Sequence, residues 1–386
     1  MKRIHYRISF FITWILFCLY SFTRRDLNLI LYNPFPYSKF WEQTREFLTN
    51  LGYFHRPLVT NLFIIFVLIF TFLYLKLIKQ KLPPNNKILF KFLIPIAVLG
   101  IISYPMFSHD IFNYLFNAKM VLIYQVNPHM HTAIEFLSDP MTRFMHNIHT
   151  PAPYAYGWTV VSLLPGLAWF TEKFVLSFWA MKLFIAIFWL AQLWILKKLV
   201  NKLFPHQSWR WQLFVLSPLV LIETLIIGHN DVVMMFPALL GYWFLLKSKK
   251  LLDKYQFLSI ILLLFSISIK YATVVILPLF LLKPYLKKLN IPAVASFLLF
   301  AVMFTRPGQL HSWYLIWAFS FAILSKSRFI VSLFTSLTIG ALLRYVPYIY
   351  YGNWNPPVYL IRNIIWLLSV SFTPFIVKYT SKLSNK

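Results

Sequence analysis

One aspartate stands at the start of an apolar helical pattern, directly after a histidine. In "YPMFSHDIFNYLFNAKM", Asp110 follows His109 and begins a segment, 110–124, whose apolar residues recur with helical spacing. The dipole of a helix favours an ionised carboxylate near its N-terminus, and such a carboxylate can accept a proton from a hydroxyl group. Alternatively, Ser108 or Asp110 caps the helix. On this segment alone, capping is the simpler interpretation.

Four more polar side chains gather in "LIETLIIGHNDVVMMF". Glu223 lies within an apolar run, and His229, Asn230 and Asp231 follow Gly228 between two such runs. A plain turn needs only residues such as Gly, Asn and Asp. An ionisable residue inside a membrane segment is costly and usually has a function. Glu223 therefore favours a functional site at this turn.

Two cations complete the set of candidate residues. Lys270 in "FSISIKYATVVILPLF" is too central in its apolar segment to reach the cytoplasm by snorkelling, so we expect it to face a wet cavity or an anionic partner. Arg306 in "FTRPGQLHSWYLIW" is either an ordinary external residue or, with Lys270, part of a cationic pair suited to phosphate. Lys182 is similarly placed in an apolar segment, with no role assigned.

The composition of the chain indicates a membrane protein. The 386 residues are 59% hydrophobic and 12% charged, which is too apolar for a soluble globular protein. The net charge of +27 would suggest nucleic acid in a soluble protein, but here the basic residues form short clusters between apolar runs. Because Cys18 is the single cysteine, a disulfide framework and a cysteine metal site are both excluded.

The apolar runs predict an all-α polytopic membrane protein with about twelve transmembrane helices. Several runs are shorter than the roughly 20 residues of a perpendicular crossing, so we expect tilted or incompletely spanning helices. The first run follows "MKRIHYR" without a signal-peptide cleavage pattern, and we interpret it as an uncleaved membrane helix. The twelve runs are 8–22, 58–75, 88–104, 174–196, 211–227, 232–246, 257–269, 271–282, 291–305, 311–324, 329–343 and 358–377.

Positive charge predicts the orientation of these helices. With cytoplasmic N- and C-termini, 23 of the 37 basic residues fall in cytoplasmic segments, whereas only Asp253 among the ten acidic residues does. This solution requires 157–170 to be a re-entrant or interfacial helix. It brings Asp110, the "GHND" turn and Arg306 to one external face, and it places 110–124 as a helix on the membrane surface.

The external loop before Trp158 is rich in histidine. His129, His131, His146 and His149 raise the possibility of a metal site, but they lack regular ligand spacing and accompanying carboxylates. We therefore interpret them as solvent-exposed loop residues. The sequence predicts no cofactor and no metal, although it does not rule out a divalent ion.

Several of these segments together resemble one enzyme family. "SHDIFNYLFNAK", "NPH", "PYAYGW", "GHNDVVMMFPALL", "IKYATVVILPLF" and "WYLIWAF" occur in an order similar to that in polyprenol-phosphate-sugar-dependent GT-C glycosyltransferases, especially bacterial mannosyltransferase-like members. The likeness extends from about Tyr104 to Phe319. "PYAYGW", which contains Tyr154, departs from the more usual Pro-Tyr-Gly-Pro arrangement of the family.

The resemblance implies a single-domain enzyme of the GT-C type in the cell membrane. Three membrane helices would occupy 1–104, an external catalytic loop with interfacial helices 105–157, and the remaining helices 158–386. The enzyme would transfer a hexose, with mannose favoured, from a polyprenyl-phosphate donor to a lipid-linked or cell-envelope glycan acceptor, with inversion. Its partners would be the donor, the glycan or glycolipid acceptor and membrane lipids, without nucleic acid.

The resemblance also implies roles for the candidate residues. Asp110 would be the general base, and Lys270 with Arg306 would stabilise the departing phosphate. The predicted substrate-binding residues are His109, Tyr154, Glu223, His229, Asn230, Asp231, Lys270 and Arg306. Of these, His229 and Asp231 would position donor or acceptor, and Glu223 would orient the turn by hydrogen bonding.

Two other classes fit part of the pattern. A transporter or flippase of a lipid-linked anionic substrate would also contain broken helices and buried charge, but no internal repeat is visible in the sequence. An acyltransferase built around a membrane histidine fits poorly, because the histidines are mostly in predicted external loops.

Overall fold

The computed structural model describes residues 2–29, 31–80, 86–305 and 310–384, and every regular element within these ranges is a helix. Short 3-10 segments connect or extend several α-helices. The α-helices are α1 (Lys2–Tyr20), α2 (Lys39–Phe54), α3 (Arg56–Lys79), α4 (Asn86–Ile102), α5 (Asp110–Leu122), α6 (Tyr156–Gly166), α7 (Phe174–Leu203), α8 (Trp209–Val215), α9 (Pro218–Leu221), α10 (Asp231–Leu245), α11 (Lys254–Ile269), α12 (Leu277–Leu281), α13 (Ile291–Val302), α14 (Leu315–Ala322), α15 (Arg328–Leu343), α16 (Tyr345–Tyr351), α17 (Val358–Leu368) and α18 (Thr373–Ser384).

The all-helical prediction is confirmed for the described residues, but the count of twelve crossings is not. Five helical segments are long and apolar enough to cross a membrane, and α8 with the segment after it forms a sixth if a bent pair counts as one span. Five other apolar helices have only 10 to 17 residues. The predicted break at Lys270 is present, whereas the predicted run 211–227 continues across a break between α8 and α9. The five long segments are His5–Arg24, Arg56–Lys79, Phe174–Leu203, Arg328–Tyr351 and Val358–Leu383.

Helix α5 forms where the sequence predicts it but not in the predicted environment. Eight of its thirteen residues are buried within the protein, among them the aromatic Phe112, Tyr114 and Phe116. A helix on a membrane surface would bury only one face in the protein. The exposed face expected of a surface helix is therefore not present on α5, and its position relative to the membrane stays a prediction. The helix is enclosed by the bundle, where Trp169 donates from Nε1 to the Leu115 carbonyl at 2.9 Å.

Helix α2 was missed because its sequence, "KFWEQTREFLTNLGYF", contains no long apolar run. Its start is set by Ser38, whose side chain accepts a hydrogen bond from the Trp41 amide at 3.1 Å. Phe40 and Phe47 lie largely exposed on its outer surface. The helix is therefore amphipathic, with an apolar surface that the rest of the chain does not cover.

One ion pair fixes the loop that follows α5. The Lys119 ammonium lies 2.5 Å from a carboxylate oxygen of Asp139, which also accepts a hydrogen bond from the Tyr124 hydroxyl at 2.7 Å. Asp139 in turn accepts from the Met141 amide at 2.9 Å and so begins the 3-10 helix Pro140–Arg143. This buried carboxylate therefore attaches the loop to the end of α5.

The second half of the bundle has two ends of different character. At one end, which we call the basic end, the Arg210 guanidinium donates to the Ile323 and Ser325 carbonyls, and the Asn290 amide donates to the Ser325 hydroxyl. Helices α10, α11 and α13 connect this end to the opposite one, which we call the site end. Because α10 has 15 residues, the two ends are separated by roughly 22 Å along it.

The segment between α9 and α10 reaches the site end through a π-helix, Ile222–Ile227. The carbonyl of Glu223 accepts the amides of both Gly228 and His229, at 3.1 and 3.0 Å. Gly228 has a φ of +85°, and a Cβ there would lie 2.8 Å from Ile111 Cδ1. The positive φ therefore favours glycine here, whereas the end of the Ile111 side chain could shift to admit a Cβ.

Lys182, which the sequence left without a role, holds this end of the bundle together. Its buried ammonium donates to the carbonyls of Gly100, Ser103 and Ile226, at 2.6, 2.9 and 2.8 Å. These carbonyls lie at or near the ends of α4 and of the π-helix, where carbonyls commonly lack a full set of intrahelical partners, and Gly100 also accepts the Ser103 amide at 3.2 Å. Lys182 thus joins three segments from one position on α7, and its role is structural.

Candidate active site

Asp110 lies at the junction of two cavities at the site end. Its side chain is 26% exposed, and it is one of the residues lining both cavities. The Ser108 hydroxyl accepts the Asp110 amide at 3.2 Å, whereas no capping hydrogen bond to the Asp110 carboxylate is recorded. The capping function therefore belongs to Ser108. The Asp110 carboxylate is directed instead to the place where two bound molecules would meet.

The larger cavity, which we call cavity A, has a volume of about 690 Å³. One side is polar, with Asp110, Asn113 and Lys270. Five other lining residues are apolar and form what we call the apolar wall of cavity A, namely Ala272, Val274, Val275, Val302 and Met303. A molecule with a polar group near Asp110 and a hydrocarbon part against this wall would fit cavity A.

The smaller cavity, cavity B, has a volume of about 360 Å³ and a basic, aromatic lining. Arg344 and Arg362 supply two guanidinium groups, and Asp110 is the one acidic residue among the described lining residues. The aromatic side chains are Trp313, Tyr345, Trp354 and Tyr359, together with Phe107. Aromatic faces and hydrogen-bonding groups of this kind suit a sugar.

A line of polar contacts, two of them hydrogen bonds, continues from Asp110 into the protein. His229 Nε2 lies 3.7 Å from Asp110 Oδ2, and His229 Nδ1 lies 3.1 Å from Glu223 Oε2. The other oxygen of Glu223 accepts a hydrogen bond from the Tyr345 hydroxyl at 2.7 Å. Glu223 thereby fixes the orientation of the His229 ring, whose remaining nitrogen points to Asp110.

Asp231 has a different set of partners. One of its oxygens accepts hydrogen bonds from the Lys270 ammonium at 2.9 Å and from Trp317 Nε1 at 2.5 Å. Asp231 is completely buried, whereas the Lys270 side chain is 12% exposed and lines cavity A. An ammonium group has three donors, so Lys270 keeps donors for a ligand in cavity A while Asp231 holds it in place.

Stacked rings separate the buried carboxylates from cavity B. The Trp313 ring lies between His229 and His311, with centroid distances of 3.9 and 4.2 Å. Tyr345, the partner of Glu223, stacks on Phe107 at 4.0 Å. These contacts combine residues from four separate parts of the chain into one wall.

His109 belongs to cavity B, and its two nitrogens already have neighbours. Nδ1 lies 2.9 Å from the Phe144 carbonyl and Nε2 lies 3.2 Å from the Tyr104 hydroxyl. Burial and the adjacent His146 lower the pKa of His109 to about 4, so this ring is neutral near pH 7. It serves as a neutral part of the wall beside Asp110.

The described residues include one group that could hold a metal ion. Ligand atoms of Asp26, His109 and His146 lie within 4.8 Å of one another. The two imidazole rings stack at 4.1 Å with an angle of 26°, whereas coordinating lone pairs lie in the ring planes. The rings would have to turn before both could bind one ion.

The structure separates the predicted substrate-binding residues into two layers. His109, Tyr154 and Lys270 line a cavity, as Asp110 does. Four others are not among the residues lining either cavity and lie fully buried behind the wall, namely Glu223, His229, Asn230 and Asp231. All four were grouped with the substrate-binding residues, with Glu223 orienting the turn, because a sequence does not reveal which polar residue of a cluster reaches the surface.

The expected pairing of two cations at a phosphate is not seen in the described residues. Lys270 contacts Asp231, and Arg306 lies outside the described residues. Its neighbour Thr305 lines cavity A. Sequence reasoning did not identify Trp313, Trp317 and Tyr345, nor the two arginines of cavity B. The first two fall within the quoted "HSWYLIW", but tryptophan in an apolar run is not distinctive.

The environment of Asp110 alters its acidity. Burial raises the pKa of Asp110 to about 6, the positive charge of Lys270 opposes this rise, and the carboxylate of Asp231 adds to it. Ser108 and Tyr154 favour the ionised form through hydrogen bonds. Asp110 is therefore mostly ionised near pH 7 and can accept a proton there more readily than an ordinary aspartate.

Two cavities that meet at one carboxylate, at the end of a bundle of apolar helices, fit a membrane enzyme that joins two substrates. A family model described as "Alpha-(1->6)-mannopyranosyltransferase, N-terminal domain" matches residues 41–284, more than half of the chain, and the chain belongs to this family. It is therefore a glycosyltransferase, which decides against the flippase and acyltransferase interpretations. No curated protein and no solved structure matches the chain.

If Asp110 is the general base, Asp110→Asn should reduce turnover by about two orders of magnitude or more, because the amide cannot accept the proton. The protein should keep its melting temperature, since Ser108 supplies the cap. Single-turnover assays and thermal unfolding would be measured in parallel.

Asp253→Asn is a matched control for this change. Asp253 caps α11 by accepting the Tyr255 and Gln256 amides, at the basic end of the bundle. Its replacement should have little effect on stability, because Asn is also a good helix cap, and should leave turnover unchanged. Near-normal turnover of Asp110→Asn would exclude Asp110 as the base.

The pH dependence of kcat/KM should show the raised pKa of Asp110. Activity needs the carboxylate, so it should be full above the pKa and fall about tenfold per pH unit below about 6, rather than below the ordinary value of about 3.9. Lys270→Met should move this acid limb to higher pH, because it removes the charge that favours ionisation. Lys173→Met, at an exposed position, should not move it. An acid limb near pH 4, or a downward shift in Lys270→Met, would contradict the assignment.

Proposed function

We propose that this enzyme transfers a mannosyl residue from a polyprenyl-phosphate donor to a hydroxyl group of a glycan acceptor, with inversion, at the external face of the membrane. The observation that carries the proposal is the position of Asp110 between a cavity with an apolar wall and a cavity with a basic, aromatic lining. The donor would occupy cavity A and the acceptor cavity B.

The apolar wall of cavity A supports a lipid-linked donor. The side chains of Tyr271 and Val274 are largely exposed at this wall, so a prenyl chain could pass from the cavity to the surrounding lipid. Lys270 would hold the phosphate with the donors that Asp231 does not use. Arg306 remains a second candidate for this phosphate.

The reaction assigns each bond change to a group in the site. Asp110 accepts the proton of the acceptor hydroxyl, and the acceptor oxygen forms a bond to the anomeric carbon on the side opposite the phosphate. The bond between the anomeric carbon and the phosphate oxygen breaks, and its electron pair remains on that oxygen. Lys270 stabilises the negative charge that accumulates on the departing polyprenyl phosphate.

The buried layer would act by positioning these groups. His229 would hold the Asp110 carboxylate toward the junction, while Glu223 and Tyr345 fix the His229 ring. Asp231 and Trp317 would fix Lys270 in the same way. This arrangement accounts for ionisable residues behind the cavity walls without requiring that they contact substrate.

The family description suggests the product. An α-(1→6) linkage formed by inversion requires a β-linked donor, and we propose this stereochemistry here. Purified protein in liposomes would be given labelled β-mannosyl phosphopolyprenol or GDP-mannose with a mannoside acceptor, and the product would be analysed by NMR.

We expect transfer from the lipid donor and not from GDP-mannose, and we expect an α-linked product. Asp110→Asn should lose this transfer. Transfer from GDP-mannose without the lipid would contradict the proposed donor. A β-linked product from the β-linked donor would contradict inversion.

The external location of the site can be tested by cysteine labelling. Asn147 is exposed and lines both cavities, whereas Lys249 is exposed in the loop before α11. In a Cys18→Ala background, Asn147→Cys should react with an impermeant thiol reagent added to intact cells. Lys249→Cys should react only after the membrane is opened, because basic loops face the cytoplasm. The reverse pattern would overturn the orientation.

A further inference from the structure

Arg344 lines cavity B and has donor groups without a partner among the described residues. The residue is only 2% exposed, and Nη2 donates to the Leu310 carbonyl at 2.6 Å and to the Asn363 side-chain oxygen at 3.0 Å. Among the described residues, Nε and Nη1 have no hydrogen-bond partner. A buried guanidinium that keeps free donors is costly unless a ligand supplies the acceptors.

A second guanidinium lies in the same cavity. Arg362 is 6% exposed, and its charged group lies 4.1 Å from the centre of the Tyr359 ring and 5.3 Å from that of Trp354. These ring contacts fix its orientation. Cavity B thus brings two buried positive charges to a volume in which Asp110 is the one described acidic residue.

We propose that the acceptor carries an oxyanion group and that Arg344 and Arg362 bind this group in cavity B. This inference rests on the function proposed above and specifies its acceptor. Guanidinium groups bind phosphate and carboxylate through two parallel hydrogen bonds, so either group would satisfy the free donors of Arg344. The neighbouring aromatic rings would contact the sugar to which the anion is attached.

The geometry of inversion argues against assigning these arginines to the donor phosphate. The acceptor oxygen and the departing phosphate lie on opposite sides of the anomeric carbon, and the base must lie on the side of the acceptor. Lys270 lines cavity A and not cavity B, whereas the arginines line cavity B and not cavity A. Two separate cationic positions on either side of Asp110 therefore fit two separate anions.

The arginines also lie beyond the residues that the family model matches, and that model describes an N-terminal domain. The family match ends at residue 284, while Arg344 begins the turn before α16 and Arg362 belongs to α17. The anion site is therefore a property of the C-terminal third of this chain.

Binding to the full-length purified protein, without donor, tests the proposal. The ligands are methyl α-mannoside, mannose 6-phosphate and glucuronate, which differ in the presence and type of the anionic group. The proteins are wild type, Arg344→Gln and Arg344→Lys. Arg210→Gln is the matched control, because Arg210 is also buried and donates to main-chain carbonyls, but at the basic end.

We expect wild type and Arg210→Gln to bind at least one anionic sugar about tenfold more tightly than the neutral mannoside. Arg344→Gln should lose this preference without weaker binding of the neutral sugar, and Arg344→Lys should keep part of it. If wild type prefers only mannose 6-phosphate over the neutral mannoside, the anionic group of the acceptor is a phosphate. If it shows a similar preference for glucuronate, the group is a carboxylate.

An equal affinity of wild type for all three sugars would overturn the proposal, as would an unchanged preference in Arg344→Gln. If Lys270→Met loses the preference for the anionic sugar and Arg344→Gln keeps it, the anion lies in cavity A, which would also overturn the proposal. If the Arg344 variants do not fold, inorganic phosphate should still compete with the anionic sugar on wild type and not with the neutral one. The binding assay contains no donor. If the protein binds the anionic sugar through Arg344 but fails the transfer assay, the proposed donor is rejected and the anion site is not.

Discussion

Three carboxylates lie close together inside a protein that is otherwise very apolar. Each needs its own hydrogen-bond donors or positive charge to offset the cost of burial. Glu223 accepts a hydrogen bond from the Tyr345 hydroxyl and contacts His229. Asp231 accepts hydrogen bonds from Lys270 and Trp317. Both are fully buried. The third, Asp110, lies 3.7 Å from the His229 imidazole and has no ion pair with a Lys or Arg side chain among the described residues, and it alone of the three reaches the cavities. The first two carboxylates therefore have close donors, and Asp110 is the one that a bound molecule can reach.

This division of partners explains the irregular helices at the site end. The π-helix and Gly228 turn His229 toward Asp110, and Lys182 satisfies a carbonyl that the turn leaves free. The break between α11 and α12 at Lys270 places an ammonium group beside Asp231. Unbroken helices would satisfy their own backbone groups more simply, but they would not bring these side chains to one place.

The sequence predicted the local features of this arrangement better than the distant ones. The bounds of α5, the helix break near Lys270 and the polar turn at Gly228 follow from the spacing of apolar and polar residues. The contact of His229 with Trp313 joins residues far apart in the chain, and no local pattern encodes it. The exposure of each member of the cluster was also unpredictable, because it depends on packing between helices. Arg344 was missed for the same reason: its cavity forms only when distant helices meet.

A structure of the enzyme with a non-hydrolysable mannosyl phosphonate linked to a prenyl chain would test the central claim most directly. The claim is that Asp110 lies between a donor cavity and an acceptor cavity. The account predicts the phosphonate at Lys270, the prenyl chain along the apolar wall of cavity A, and the anomeric carbon facing Asp110 with cavity B open behind it. A phosphonate bound by Arg344 in cavity B, with Lys270 still contacting only Asp231, would contradict the assignment of both cavities.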